Sequence, residues 1–277
     1  MTFSTLISAK QTYQHLDHDN WVIIDCRFSL GDSEGGRKNY IQNHIPNAVY
    51  AHLDTDLSAP IIPQQTGRHP LPSIEKMVEL FSKFGIGSNT QVVAYDDRGG
   101  GIAARLWWML QSLGHEQVAV LDGGWQHWVA SGFPTDSDIS LPFYQAFEAK
   151  PKVERFVDRH FIEQIIEDER GEFLLIDSRA AKRYRGEIEP IDFKAGHIPT
   201  AVNMPFAENL GTDGLFLSKD ELQKRFSEVN ASTPSEKMVF YCGSGVTACH
   251  NLLAMQHAGL GTGKLYVGSW SEWIQYH

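Results

Sequence analysis

The chain is one unit written twice. Trp21-Val-Ile-Ile-Asp25, with Arg27 two residues on, returns as Phe173-Leu-Leu-Ile-Asp177 with Arg179. His44-Ile-Pro-Asn-Ala-Val49 returns as His197-Ile-Pro-Thr-Ala-Val202, Gln91-Val-Val-Ala-Tyr95 as Lys237-Met-Val-Phe-Tyr241, and Gly124-Trp-Gln-His-Trp128 as Ser269-Trp-Ser-Glu-Trp273. Four landmarks in the same order, roughly 150 residues apart, require that any fold adopted by one half also serve the other. With 277 residues, 42% of them hydrophobic, there is enough apolar material for two cores of ordinary size. Each copy alternates short apolar runs with amphipathic stretches, the pattern of an α/β domain with a mostly parallel sheet flanked by helices. Strands are expected near 21–25, 48–50, 92–95 and 118–121, then near 173–177, 201–204, 237–241 and 265–267. Helices are expected near 73–84, 102–113 and 124–130, then near 158–168, 218–228, 247–258 and 270–275. Residues 138–153, interrupted by Pro142 and Pro151, read as an extended linker between domains 1–137 and 154–277.

The stretch that carries chemistry is Val239-Phe-Tyr-Cys-Gly-Ser-Gly-Val-Thr-Ala-Cys-His-Asn251, which reads as strand, loop, helix. Cys242 therefore stands at the carboxyl end of a strand, where open parallel sheets bind their ligands. Gly243 and Gly245, lacking Cβ atoms, are able to take positive φ, so that the amides of Gly243, Ser244, Gly245, Val246 and Thr247 turn inward as a nest around the sulfur. Ser244 and Thr247 add hydroxyl donors, and the following helix points its positive end at the same place. These features together are expected to hold Cys242 as a thiolate. A phosphatase-type Cys-x5-Arg loop is excluded, because the sixth position after Cys242 is Ala248.

Cys242-Gly-Ser-Gly-Val-Thr-Ala248 resembles the active-site loop of the rhodanese-like sulfurtransferases, and its Gly-Ser-Gly-Val-Thr form resembles the 3-mercaptopyruvate branch. Taken with the duplication, the resemblance to tandem-domain members covers essentially the whole chain. It implies two tandem rhodanese-like domains and a Cys242 that takes sulfane sulfur as a persulfide, splitting one transfer into two displacements. The sulfur would come from a small anionic donor and pass to a thiol acceptor, such as thioredoxin or a low-molecular-weight thiol, or to cyanide, with no cofactor and no metal. Tyr95 is followed by Asp96 where Tyr241 is followed by Cys242, and a carboxylate cannot accept sulfane sulfur. The first domain is accordingly expected to be a non-catalytic partner and the second to be catalytic.

Further site residues follow from the same resemblance. Arg183 occupies the place of the family's substrate arginine, after the Asp-x-Arg strand end and before an aromatic residue, with Arg185 as a second candidate; a guanidinium grips a carboxylate or sulfonate through two parallel hydrogen bonds. Animal mercaptopyruvate enzymes carry a second arginine in a Glu-Pro-Arg-Asp segment, where this chain has Glu189-Pro-Ile-Asp192. Thiosulfate-type members carry Arg and Lys after the cysteine, where this chain has Gly243 and Ser244. Mercaptopyruvate is therefore the expected donor, with thiosulfate the alternative and a non-enzymatic persulfide carrier the less favoured one. His44, Asp32 and Ser244 match a proton relay considered for the mercaptopyruvate enzymes, although the recurrence of His-Ile-Pro at His197 favours a shared structural role for His44.

A net charge of −10 without any Lys/Arg cluster argues against nucleic acid, so positive potential for an anionic donor has to be local. No apolar run approaches a membrane span, and Met1 to Lys10 lacks the order of a signal peptide. Three cysteines make no disulfide framework and point to the reducing cytoplasm. Cys249 and His250 beside Cys242 lack the paired spacing of a zinc site, Cys26 reads as core, and Trp125, Trp128, Trp270 and Trp273 read as packing anchors.

Overall fold

The computed structural model describes residues 2–168, 171–229 and 233–277. Two compact units form, the first from Met1–Ala59, Leu71–Lys152 and Asp213–Leu215, the second from Pro60–Pro70, Val153–Thr212 and Phe216–His277. Unit 1 contains β1 (Leu6–Ile7), α1 (Ala9–Tyr13), β2 (Trp21–Asp25), α2 (Gly35–Gln42), β3 (Val49–Tyr50), α3 (Ile74–Lys83), β4 (Gln91–Tyr95), α4 (Ala103–Ser112), β5 (Val118–Leu121) and α5 (Gly124–Ala130). Unit 2 repeats the series as β6 (Phe156–Val157), α6 (Arg159–Glu167), β7 (Leu174–Asp177), α7 (Ala181–Tyr184), β8 (Val202–Asn203), α8 (Lys219–Val229), β9 (Met238–Tyr241), α9 (Ala248–His257), β10 (Lys264–Tyr266) and α10 (Ser269–Tyr276).

Both sheets are parallel throughout, in the orders β1-β5-β4-β2-β3 and β6-β10-β9-β7-β8. The central strands β4 and β9 are buried at every position, as strands covered on both faces must be, which is why they read as unbroken apolar runs. The helix after each central strand is buried to match: every residue of α4, and Ala248 through Met255 of α9. Surface helices start where capping chemistry places them, with the Ser73 and Asp158 side chains accepting from the third amide of α3 and α6, and a reciprocal Ser8–Gln11 capping box opening α1.

The repeated landmarks meet in space. Asp25 pairs in register with Tyr95, and Asp177 with Tyr241. Arg27 grips the Asp25 carboxylate and donates to the Asn43 carbonyl at 2.6 Å; Arg179 grips Asp177 and donates to the Gly196 carbonyl at 2.7 Å. The Tyr95 and Tyr241 hydroxyls accept the amides of Ile45 and Ile198 in the two His-Ile-Pro turns. Each guanidinium lies over a tryptophan, Arg27 at 4.3 Å from the Trp125 ring and Arg179 at 4.8 Å from Trp270. A buried carboxylate is stable only when paired and hydrogen-bonded, so the four sequence motifs are the parts of one hub.

Two features differ from the sequence expectation. The edge strands β1 and β6 and the short helices α1, α2 and α7 go unforeseen, because segments of two to eight residues are too short for periodicity to mark. Residues 60–70, in the first half of the chain, fold with unit 2. The 138–152 stretch is extended as its prolines require and runs along unit 1, where the Gln145 amide meets the Ser82 carbonyl at 3.1 Å and the Lys150 amide meets the Leu113 carbonyl at 2.7 Å.

In unit 1 the loop after the central strand folds around Asp96. Its Oδ1 accepts the amides of Arg98 and Gly100, both at 2.8 Å, and its Oδ2 those of Ile102 at 2.7 Å and Ala103 at 2.8 Å. Asp96→Ala would leave four inward-facing amides without their acceptor. Urea denaturation should record a loss of about 3–5 kcal/mol, with Asp96→Asn intermediate.

Candidate active site

Cys242 follows β9, which lies beside β7 at the point where the chain's connections diverge to opposite edges of the sheet. The N-terminus of α10 fixes the backbone there. The Cys242 amide donates to Ser269 Oγ at 3.1 Å, while the Cys242 and Gly243 carbonyls accept the amides of Trp270 at 3.0 Å and Ser271 at 2.9 Å. Gly245 sits at φ 75°, and a Cβ on it would run into the Val267 carbonyl, so glycine is required by both conformation and space. Gly243, in contrast, is outside the left-handed region, and its role is to leave room, as shown below.

The bent loop turns its donors onto the sulfur. Burial pushes the Cys242 thiol up, but the Thr247 hydroxyl and the amides of Ser244, Ala248 and Val246 donate to it and outweigh burial, so its pKa lies below the ordinary thiol value. Ala248, the first residue of α9, is a donor that the sequence reading did not include. Cys26 shows the opposite balance: burial, with the neighbouring Asp25, Asp96 and Asp56, raises its thiol well above the usual range. Cys249 is buried with its Sγ 3.5 Å from the Gly245 carbonyl, and His250 stacks on Phe216 at 4.5 Å.

The 60–70 segment supplies two further side chains. Gly67 lets it approach α10, because a Cβ there would meet Ser271 Oγ at 2.8 Å; the Arg68 amide donates to that oxygen at 3.1 Å, and Tyr276 Oη donates to the Gln65 carbonyl at 3.2 Å. His69 Nδ1 then lies 2.7 Å from Ser244 Oγ. The Arg68 side chain pairs with Asp192 and reaches Gly243, where a Cβ would stand 2.8 Å from its Nη2 and 3.6 Å from both terminal nitrogens of Arg183. Arg183 is held by Glu189 at 2.7 and 3.1 Å and by Asp192 at 3.1 Å.

These positions bear on the remaining candidates. His44 is fully buried in unit 1, with Nδ1 2.6 Å from the Tyr40 carbonyl and Nε2 3.1 Å from the Asp138 carbonyl; both nitrogens are committed to backbone, so it is unfit for a relay. His197 repeats the first of these contacts with the Tyr184 carbonyl at 2.8 Å, which makes it part of the turn. Asp32 is mostly exposed and 3.5 Å from Lys38, and the histidine that touches Ser244 is His69. Arg185 is half exposed and paired with Glu187 at 2.6 Å, whereas the arginine beside Gly243 is Arg183. The loop also does not lack nearby cations, since Arg68 and Arg183 reach it from elsewhere in unit 2. A signal for Arg68 and His69 was present in the long proline-bounded stretch between β3 and α3, because loops of such length inside a compact domain are commonly functional.

The rhodanese-like domain model matches residues 8–131 and again 161–276. The chain belongs to the rhodanese family. A probable 3-mercaptopyruvate sulfurtransferase of Pseudomonas aeruginosa is 42% identical over 275 residues, covering 99% of this chain and 96% of that protein. The structure of 3-mercaptopyruvate sulfurtransferase from Leishmania major superposes with a TM-score of 0.86 at 32% identity, over 98% of this chain and 74% of the other. A thiosulfate sulfurtransferase of Gallus gallus is 34% identical over 257 residues, covering 91% of this chain and 86% of that protein. The tandem α/β architecture and the sulfurtransferase class expected from the sequence stand with these relatives. No helix among the described residues is long and apolar enough to cross a membrane.

The cradle predicts selective reactivity. Iodoacetamide should label Cys242 ahead of Cys26, with the inflection of its pH profile below that of a free thiol. Thr247→Val, which removes one donor to the sulfur, should move that inflection upward, as read by mass-spectrometric peptide mapping.

Proposed function

We propose that the protein is a 3-mercaptopyruvate sulfurtransferase whose 154–277 region, joined by 60–70, is catalytic and whose 1–137 region is a non-catalytic partner, with 138–153 as linker. The Cys242 thiolate attacks the donor's sulfur; the S–S bond forms as the C–S bond breaks, and the departing electron pair becomes the enolate of pyruvate. The thiol proton of the donor ends on the enolate carbon, leaving a Cys242 persulfide. A thiolate acceptor or cyanide then takes the outer sulfur and regenerates Cys242. The amides of Ser244, Val246 and Ala248 with the Thr247 hydroxyl hold the anionic sulfur through both steps.

The observation that carries the choice of donor is the 2.7 Å contact of Ser244 Oγ with His69 Nδ1. Pyruvate leaves as a carbanion equivalent that has to be protonated, and a hydroxyl beside the nucleophile backed by a histidine is suited to move that proton. Sulfite, leaving thiosulfate, has no such need. Thiosulfate is the second reading, supported by the two guanidinium groups beside Gly243, which also suit a sulfonate-like group. Low-molecular-weight thiols and cyanide are the small nucleophiles that fit a buried persulfide, and thioredoxin offers the same thiol chemistry on a protein. The three free cysteines suit a reducing cytoplasm.

Cys242→Ser should abolish turnover while Cys26→Ser and Cys249→Ser keep most of it, and donor treatment should add one sulfur atom to the Cys242 peptide by mass spectrometry. His69→Asn should lower kcat with mercaptopyruvate by about 10²- to 10³-fold and leave persulfide formation from thiosulfate within a few fold. More efficient use of thiosulfate than of mercaptopyruvate by the unaltered protein, or an equal loss on both donors in His69→Asn, would sink the mercaptopyruvate reading.

A further inference from the structure

The Asp192 side chain, 4% exposed, accepts two guanidinium groups at once: Arg68 through Nη1 on its Oδ1 and Arg183 through Nη2, 3.1 Å from its Oδ2. Arg183 also commits Nε and Nη2 to Glu189. Its Nη1 carries no hydrogen bond among the described residues and lies 3.6 Å from where a Cβ on Gly243 would stand. Arg68 Nη2 is likewise uncommitted, 2.8 Å from the same point, and Arg68 Nε is enclosed without a partner. Two guanidinium forks aligned by one carboxylate thus turn their spare N–H groups to one spot beside the residue that follows the nucleophile. Glycine at 243 keeps that spot open.

The charges of the surrounding cluster, Arg68, Arg179 and Arg183 against Asp177, Glu189 and Asp192, balance. Attraction for an anion therefore comes from directed, unsatisfied donors more than from net charge. Such donors suit a planar two-oxygen group, which can take the spare Nη1 of Arg183 on one side and the Nε and Nη2 of Arg68 on the other. Removing one guanidinium from this half-buried pair takes a charge-assisted contact away from the ligand.

We propose that Arg68 is the second guanidinium of the donor site and closes with Arg183 on the carboxylate of a 2-oxo acid donor. The proposal deepens the mercaptopyruvate reading and rests on it for the identity of the donor. It makes Arg68 a specificity-determining residue: donors with a carboxylate beside the ketone gain from it and donors without one do not.

Isothermal titration of pyruvate into the full-length protein tests the clamp without any sulfur transfer. Arg68→Gln should weaken pyruvate binding at least tenfold. In steady state it should lower kcat/KM for mercaptopyruvate by ten- to a hundredfold, mainly through KM, while mercaptoacetone, the same α-mercapto ketone without the carboxylate, stays within threefold of the unaltered protein. If Arg68→Gln does not fold, Arg68→Lys, which keeps the charge and loses the fork, serves for both measurements with a smaller loss. Equal losses on both donors would make Arg68 a structural prop, and unchanged pyruvate affinity, or none in the unaltered protein, would overturn the clamp. Intact, Arg68-dependent pyruvate binding in a protein that nevertheless prefers thiosulfate would instead overturn the donor reading and leave the clamp standing.

Discussion

The buried Asp177 carboxylate is the constraint on which unit 2 is built. At the end of β7 it has no access to water, so it persists only because Arg179 forks onto it and Tyr241 stands opposite in register. Satisfying it brings the His197 turn, the end of β9 and the first turn of α10 to one place through the Gly196 carbonyl, the Ile198 amide and the Trp270 ring. The residue after Tyr241 then emerges where α10 can bind its backbone on both sides. Unit 1 has the same hub around Asp25, so the hub belongs to the fold and chemistry is decided one residue further on.

That residue is Asp96 in one copy and Cys242 in the other, and the comparison explains what the loop wants. Both loops turn backbone amides inward, and inward amides need an anion. Asp96 supplies its own with two carboxylate oxygens and four short hydrogen bonds, so the first loop is complete as it stands. A sulfur has one atom with which to accept from Ser244, Val246, Ala248 and Thr247, and it is best satisfied as a thiolate or persulfide anion. The same backbone is therefore satisfied from within in one loop and favours an anionic sulfur in the other.

Legibility in the sequence followed sequence distance. The central strands, the buried helices and the Cys242 loop were readable because each is a contiguous run whose periodicity or glycine content states its role. Gly245 met its expected conformation, whereas Gly243 is glycine for a reason only the third dimension contains, the approach of Arg68. His44 entered as a relay candidate through the family resemblance, while the repetition of its motif pointed to a shared turn, and both of its ring nitrogens lie against backbone carbonyls. His69 has no counterpart in the second copy and no periodicity around it; its value comes from a contact across 175 residues of chain. The second cation absent at Ile191 enters from the same unmarked stretch.

Residues 60–70 leave unit 1 after β3, join unit 2, and return to begin α3. The chain is thus two domains by fold and one by covalent threading. Gene division at the linker would separate a second half that keeps its nucleophile and its amide cradle from the loop that holds the serine's histidine and one of the two guanidinium groups. Duplication did not leave two separable modules: the segment lies in the first half of the chain and packs with the second unit, so a cut at the linker divides a folded unit.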